Sequence, residues 1–258
     1  MDEQPSTSIS AVLDEPTCGK LATITRTIPG DVPGLDNVHK QDAADWTAEQ
    51  RRLVEADADA FTRASDAAVP LITQTSNMVV RQLYGQYVAR GRAYAAAVRA
   101  PAPDRDQLVN MRASVGLIDE AIEALCTTIE TGRPAVFARL VAPIDIGSAP
   151  PQPVDPADPI VLVTISGDDC GAWANPVDTN MSAQMVESDP AVGNQQADTM
   201  LELGRTSANP LTYYFAAYGA LYFRIAAVTT SAGPDEQLGY REFGMKMRNF
   251  LARTCRPD

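Results

Sequence analysis

One helical segment of this chain occurs twice, and each occurrence is followed by a cysteine that closes the next helical run. Residues 75–104 align without a gap on residues 206–235, and eight of the thirty positions are identical. Cys126 and Cys255 then fall at similar distances beyond the two segments. Because a copied segment folds as its original does, the pattern predicts two tandem helical-bundle units, packed side by side and related by duplication.

The four cysteines allow three disulfide connectivities, and the repeat selects one of them. In that connectivity, a cysteine just ahead of each unit bonds to the end of the unit's last helix. The resulting pairs are Cys18–Cys126 and Cys170–Cys255. A zinc site made of the four thiolates is the rival, but the chain contains no Cys-x-x-Cys spacing. We therefore predict two structural disulfides.

The repeat and the proline content divide the chain into four parts. Residues 18–131 form the first helical unit, and residues 160–258 form the second. Between them, residues 132–159 are rich in proline and predict a semi-rigid, largely extended linker. Residues 1–17 are predicted to be a flexible stalk. The predicted fold class is therefore all-α, with short extended segments.

Capping residues and proline mark the helices of the first unit. Thr47 and Gln50 fit a capping box at the start of the first helix. Pro70 should kink or end that helix, because proline lacks an amide hydrogen and clashes with the preceding turn. Asn77 is a good cap for a second helix, and Asp104 for a third.

Similar signals recur in the second unit. Pro190 suits a first helical turn, Asn209 caps the next helix, and Pro234 begins the last. Residues 160–165 have the composition of a strand, and residues 21–25 weakly resemble them. The two segments could pair with each other, or both could be extended segments laid across helices.

The charge balance excludes several classes of partner. A net charge of −12 and an isoelectric point near 4.5 argue against nucleic acid, which requires a basic face. They argue equally against a polybasic membrane-surface anchor. The acidic side chains concentrate in the leading segment of each half. A solubilising surface explains them better than a site for cations or for a basic partner.

Two observations bear on the cellular compartment. The chain has no stretch of about 18 apolar residues, and its acidic, polar start at Met1 does not resemble a signal peptide. Disulfides, however, persist outside the cytosol. We therefore expect an extracytoplasmic protein whose natural form carries an N-terminal signal or membrane anchor ahead of this chain.

Candidate catalytic residues are few. His39 is the single histidine, and its loop predicts a plain exposed surface residue. Oxidised cysteines cannot act as nucleophiles, and no glycine-rich phosphate loop occurs. Asp57 and Asp59 are two residues apart, so they point to different sides of a helix. Asp168 and Asp169 could hold calcium, but local turn hydrogen bonds are the better interpretation. We predict no enzyme activity, cofactor or metal.

The helix that begins after Asn209 is apolar around most of its circumference. Such a helix normally lies at the centre of a bundle, covered on all sides. The alternative is that some of its aromatic side chains line a groove for a lipid or an apolar partner helix. The side chains concerned are Tyr213, Tyr214, Tyr218 and Tyr222.

Two motifs resemble mycobacterial and related actinobacterial proteins. They are Trp46-Thr47-Ala48-Glu49-Gln50-Arg51, and Asn209-Pro210 followed by Phe215-Ala216-Ala217-Tyr218 and Tyr222, with a terminal cysteine. Proteins of that kind are secreted or membrane-anchored and have extracytoplasmic helical domains of unassigned activity. The resemblance implies an envelope location and transfers no catalytic residue.

These observations favour a non-enzymatic extracytoplasmic module that binds a protein partner in the cell envelope. A carrier of a lipid or small apolar ligand is the alternative, motivated by the aromatic helix. An enzyme is the third hypothesis, and it would need an acid pair assembled between the units.

Overall fold

The computed structural model describes residues 8–28, 34–130, 138–147, 165–166, 173, 190–207, 209–229 and 234–256. Within them the chain is mostly helical, which confirms the predicted class. The helices are α1 (Cys18–Thr25), α2 (Leu35–Val38), α3 (Ala48–Gln74), α4 (Met78–Val98), α5 (Arg105–Glu130), α6 (Pro190–Thr206), α7 (Pro210–Val228) and α8 (Pro234–Arg253). The strands are β1 (Ser8–Ile9), β2 (Ile144–Asp145), β3 (Ile165–Ser166) and β4 (Cys255–Arg256).

The chain separates into two compact units. Among the described residues, the first unit holds those between 16 and 119, and the second holds residues 8–15 together with those from 120 onward. The boundary therefore lies inside α5, whereas the sequence predicted units of residues 18–131 and 160–258. Composition does not reveal this boundary, because one helix continues across it without a break.

Local capping interactions begin the two long helices of the first unit. The Thr47 hydroxyl accepts from the Gln50 amide at 3.2 Å, and the Gln50 side chain accepts from the Thr47 amide at 2.8 Å. The predicted capping box of α3 is thereby confirmed. Asn77 Oδ1 accepts from the Val79 amide at 3.1 Å, which confirms the predicted cap of α4. The two capped helices, α3 and α4, pack against each other.

Pro70 does not end α3, which continues through it to Gln74, so the first helix is longer than an ending at Pro70 would allow. An interior proline costs about 3 kcal/mol. Leu71 and Ile72 lie in the following turn and are 4% and 0% exposed. Burying two such side chains contributes about 1.5–3 kcal/mol each, which offsets the loss of one hydrogen bond.

Residues 21–25 also differ from the prediction, since they belong to α1 and not to an extended segment. Leu21 is 1% exposed, and the Thr23 hydroxyl donates to the Gly19 carbonyl at 2.9 Å. Burial and this local bond outweigh the strand preference of the β-branched residues. Residues 160–164 lie outside the described residues, and Ile165–Ser166 pairs in parallel with Cys255–Arg256.

In the second unit, α7 packs against both α6 and α8 and is buried on nearly all sides. The close approach of α6 and α7 depends on two glycines. A methyl group on Gly204 of α6 would lie 2.8 Å from the Ala216 Cβ of α7. A methyl group on Gly219 of α7 would meet the side chain of Met200, also on α6. The prediction that this helix is central in its bundle is confirmed.

The start of the described chain is not the flexible stalk that the sequence predicted. Ser8–Ile9 pairs in antiparallel fashion with Ile144–Asp145. Ile9 and Val12 are 4% and 1% exposed, and the Val12 amide donates to the Tyr222 hydroxyl at 3.3 Å. Apolar burial therefore orders residues 8–15 within the second unit. Residues 1–7 lie outside the described residues.

One predicted disulfide is present in the described chain. Cys18, at the start of α1, and Cys126, near the end of α5, are disulfide-bonded. Cys170 lies outside the described residues, so its pairing with Cys255 stays a prediction.

Replacing Gly204 with alanine is expected to lower the free energy of unfolding by about 1–3 kcal/mol. The new methyl group would lie 2.8 Å from Ala216 Cβ and 3.2 Å from Tyr213 Cα, and neither atom can rotate away. Urea denaturation followed by circular dichroism measures the change.

Gly116→Ala is the matched control, because Gly116 also lies inside a helix but a methyl group there has no neighbour within 4 Å. It should raise the free energy of unfolding by about 0.4–1 kcal/mol through reduced chain entropy. Equal stabilisation by both substitutions would contradict the packing of α6 on α7.

Candidate functional site

The first unit contains a buried charged cluster at the meeting of α3, α4 and α5. Its centre is Asp57, whose residue surface is 2% exposed. Asp57 Oδ2 accepts from the Tyr94 hydroxyl at 2.7 Å and from Arg112 Nε at 3.0 Å. Arg112 also donates from its terminal nitrogen to Asp57 Oδ1 at 3.3 Å. The carboxylate thus has a bidentate arginine and a phenol as partners, which satisfies its charge.

An aromatic ring packs against both partners of Asp57. The ring of Phe61 meets the ring of Tyr94 edge-on, with centroids 5.3 Å apart, and the Arg112 guanidinium lies 5.8 Å from the Phe61 centroid. Burial, followed by the negative charge of Asp57, raises the pKa of the Tyr94 hydroxyl far above its ordinary value. Tyr94 therefore remains a protonated donor. We call Asp57, Phe61, Tyr94 and Arg112 the Asp57 cluster.

His39 lies beside this cluster, which corrects the prediction that it is an exposed surface residue. The residue is 6% exposed, although its loop composition suggested the surface. Its Nε2 atom is 3.5 Å from the Tyr94 hydroxyl oxygen, and the two rings meet edge-on. The cause is tertiary: α2, which ends one residue before His39, packs on α3 and carries the ring inward.

Asp59 shows that the predicted divergence of the two aspartates is correct. Asp59 binds Arg99 in an ion pair whose side chains are 57% and 46% exposed, whereas Asp57 points into the core. The arrangement around Asp57 leaves no free carboxylate oxygen for proton transfer to a substrate. Chemically, it can hold three helices in register and connect a histidine to a carboxylate through one phenol.

Sequence reasoning did not identify Tyr94 and Arg112 as partners of Asp57. A signal was available in the helical spacing. Asp57 lies three residues after Val54 and four before Phe61, so it occupies the apolar face of α3. A charged residue on such a face requires a buried partner, and Arg112, four residues after Leu108, occupies the same kind of position on α5.

An open groove of about 560 Å³ lies on the first unit beside the start of α3. Its lining residues come from α2 and from the first turns of α3. They are Gly34, Asn37, Val38, Glu49, Gln50, Arg52, Leu53 and Ala56. We call this the α2 groove. Val38 and Leu53 supply apolar surface, and Glu49 and Arg52 supply one charge of each sign, so the groove can accommodate a small, mostly apolar group.

The aromatic residues predicted as a possible ligand or partner surface are mostly core. Tyr214, Tyr218 and Tyr222 are 3%, 6% and 0% exposed. Burial raises the pKa of the Tyr214 and Tyr218 hydroxyls, so both stay neutral. Tyr213 alone of the four is half-exposed, and its hydroxyl donates to the Asp145 carbonyl at 3.3 Å. These side chains fill the second unit and do not form an exposed aromatic face.

The described residues show neither a metal-binding cluster nor a membrane-spanning helix. The described residues contain no cluster of three or more histidine, cysteine, aspartate or glutamate side chains that could hold a metal ion. Asp168 and Asp169, the predicted alternative for calcium, lie outside that part of the chain. Among the described helices, none combines the length and apolar character needed to cross a bilayer.

Together these features define a mostly helical, disulfide-containing protein built around a structural ion pair. Comparison with known proteins gives its family. Residues 2–192 match the family described as Mycobacterial ESX-1 associated protein, and the chain belongs to that family. The resemblance to mycobacterial proteins is thereby confirmed at the level of the family.

A curated relative is an uncharacterized protein of Mycolicibacterium smegmatis (strain MKD8). The two sequences are 25% identical over an alignment of 277 positions, which covers 96% of this chain and 72% of the relative. No solved structure matches the chain. The similarity therefore extends over nearly the whole chain, including the second unit beyond residue 192, but it brings no assigned activity.

Asp57→Asn is expected to lower the free energy of unfolding by about 3–5 kcal/mol. The substitution keeps the size of the side chain but leaves Arg112, which is 23% exposed, without its counter-charge. Chemical denaturation monitored by circular dichroism provides the measurement.

Asp59→Asn is the control, because it makes the same change two residues away in an exposed ion pair. Its effect should stay below about 1 kcal/mol. A loss of stability from Asp57→Asn no larger than that of the control would show that the cluster does not organise the three helices.

Proposed function

We propose that this protein is a non-enzymatic, protein-binding component that acts with the ESX-1 secretion system. Membership of a family described as ESX-1 associated carries the proposal. The charged chemistry of the first unit supports a binding role over catalysis. Asp57 is enclosed, and its two oxygens already accept from Tyr94 and Arg112, so the carboxylate serves the fold.

The proposal includes an extracytoplasmic location in the cell envelope. The Cys18–Cys126 disulfide supports it, because such bonds persist in oxidising compartments and are rare in a reducing cytosol. An N-terminal signal or membrane anchor ahead of this chain would deliver the protein there. Cys170–Cys255 is proposed as a second bridge in the same compartment.

We also propose that the two units arose by duplication, and a repeated ion pair supports this. Arg92 of α4 binds Asp66 of α3 at 2.8 Å. Arg224 of α7 binds Asp198 of α6 at 2.9 Å. Both members of the second pair follow their counterparts by 132 residues, so the pair joins α4 to α3 and α7 to α6 at equivalent positions.

A repeated helix N-cap shows the same 132-residue spacing. Asn77 Oδ1 accepts from the amide two residues ahead at 3.1 Å, and Asn209 Oδ1 does so at 2.9 Å. The amide of each asparagine donates to a hydroxyl two residues behind it, on Thr75 and on Ser207. The spacing is again 132, one residue more than the sequence alignment used. The 131-residue alignment rests on eight identities, four of them one tyrosine and three alanines, whereas the 132-residue spacing rests on an equivalent cap and an equivalent ion pair.

A carrier of a lipid or small apolar ligand is the second candidate. The aromatic residues of α7 suggest this function. Three of the four tyrosines concerned, however, are buried in the core. Protein binding is therefore the better supported of the two functions. Co-purified lipid in native mass spectrometry of protein from its own host would favour the carrier.

The protein-binding proposal predicts specific capture of ESX-1 components. A tagged copy expressed in its mycobacterial host, cross-linked in living cells and purified, should enrich at least one ESX-1 component about tenfold or more over an untagged strain. The same purification from a strain that lacks ESX-1 is the control, and there the cross-linked partner should be missing. Absence of enrichment, together with unchanged ESX-1 secretion after deletion of this gene, would refute the proposal.

The location proposal predicts the state of the thiols. Protein isolated under acid-quenched, non-reducing conditions should yield the disulfide-linked peptides 18–126 and 170–255 on mass-spectrometric mapping, with no alkylation of the four cysteines before reduction. A cytosolic protein with no disulfide as a positive control should be fully alkylated. Free thiols in the native material would exclude the oxidising compartment.

A further inference from the structure

We propose that Leu13 and Leu140 form a surface of the second unit through which two copies of this chain associate as a weak symmetric dimer. The inference is independent of the ESX-1 proposal, since the partner is a second copy of the chain. Among the described residues, these leucines are the two most exposed large apolar side chains, at 52% and 64%. Single exposed leucines are common on monomers, but two that lie together form an apolar patch, and such patches mark interfaces.

The pairing of β1 with β2 sends both leucines to one end of the same small sheet. Ile9 pairs with Ile144 in antiparallel fashion. Leu13 follows Ile9 by four residues, and Leu140 precedes Ile144 by four. In an antiparallel pair, the forward direction of one strand is the backward direction of the other. Both leucines therefore lie beyond the same end of the pair.

Contacts with α7 anchor the backbone of both segments. The Tyr213 hydroxyl donates to the Asp145 carbonyl at 3.3 Å, near the start of α7. Nine residues further along that helix, the Tyr222 hydroxyl accepts from the Val12 amide at 3.3 Å. The 3₁₀ turn Ala138–Leu140 also packs on α7. The two exposed leucines thus have a fixed place on the second unit.

A charged residue adjoins each leucine, and the two charges have opposite signs. Asp14 follows Leu13, and Arg139 precedes Leu140. Both charged side chains are exposed, and neither forms an ion pair within the described part of the chain. Each charge is therefore available to a partner.

This arrangement is complementary to itself. In a symmetric dimer, every contact between two different residues occurs twice, once in each direction. When Leu13 packs on Leu140 of the partner subunit and the two segments run antiparallel, Asp14 meets Arg139 of the partner subunit. Two apolar contacts and two ion pairs then form together. Such a patch is smaller than the roughly 800 Å² that each partner buries in a stable complex, so we expect a weak, reversible dimer.

Sedimentation velocity of the full chain tests the proposal. The net charge of −12 opposes association, so the measurement uses about 0.15 M salt, which screens charges more than about 8 Å apart. The wild-type chain should pass from monomer to dimer between about 10 μM and about 1 mM. Leu140→Asp should raise the dissociation constant about tenfold or more, because it places a charge in the apolar contact.

Val109→Asp is the matched control, because Val109 is also an exposed apolar residue, at 36%, but belongs to the first unit. It should leave the dissociation constant unchanged. A wild-type chain that stays monomeric up to about 1 mM, or equal weakening by the two substitutions, would overturn the proposal.

Exchange of charges separates a contact between copies from a contact inside one chain. Arg139→Asp and Asp14→Arg should each raise the dissociation constant about fivefold or more, because like charges then face each other twice. An equimolar mixture of the two variants should restore the wild-type value, since each copy carries the charges that the other requires. Circular dichroism should be unchanged in both, as these side chains are exposed. Rescue in the double variant without rescue in the mixture, or no weakening at all, would contradict the symmetric dimer.

Discussion

The carboxylate of Asp57 is the interaction on which the first unit depends. Tyr94 and Arg112 donate to it from the two helices that follow α3, so one side chain links three helices. An unpaired charge at 2% exposure would cost more than most single contacts contribute. The pair therefore requires that α3, α4 and α5 meet in one register, because any slip separates the arginine from the carboxylate. Apolar packing alone tolerates such slips far more readily.

The second unit differs from the first at the positions that the proposed duplication equates with the Asp57 cluster. At the 132-residue spacing of the proposed duplication, the positions of Tyr94 and Arg112 carry Ala226 and Gly244, neither of which has a phenol or a guanidinium. Gly244 lies against Phe223, since a methyl group on it would be 3.0 Å from that ring. Phe215 packs edge-on against Phe250 with centroids 5.8 Å apart. At these positions the second unit has aromatic packing against glycine, whereas an exposed ion pair and the helix caps occur in both units.

The sequence predicts well those features of the fold that depend on neighbouring residues. The capping box of Thr47 and the caps at Asn77 and Asn209 were predicted because a cap needs only three or four consecutive residues. What it misses depends on contacts distant in the chain. α3 continues past Pro70 because of burial, and the loop of His39 has a polar composition although the ring is enclosed. Helical spacing places Asp57 and Arg112 on apolar faces, but it does not say that they pair, because the partners of Asp57 lie 37 and 55 residues away.

The distribution of polar chemistry also constrains where recognition can occur. Asp57 is buried and committed to its partners, so a partner protein cannot reach its charge. Recognition on the first unit must therefore use surface features, and the α2 groove is one that the fold constructs from two helices. His39 adjoins α2 on the core side, while Gly34, Asn37 and Val38 line the groove. The buried ion pair therefore stabilises the fold, and recognition is left to the accessible surface.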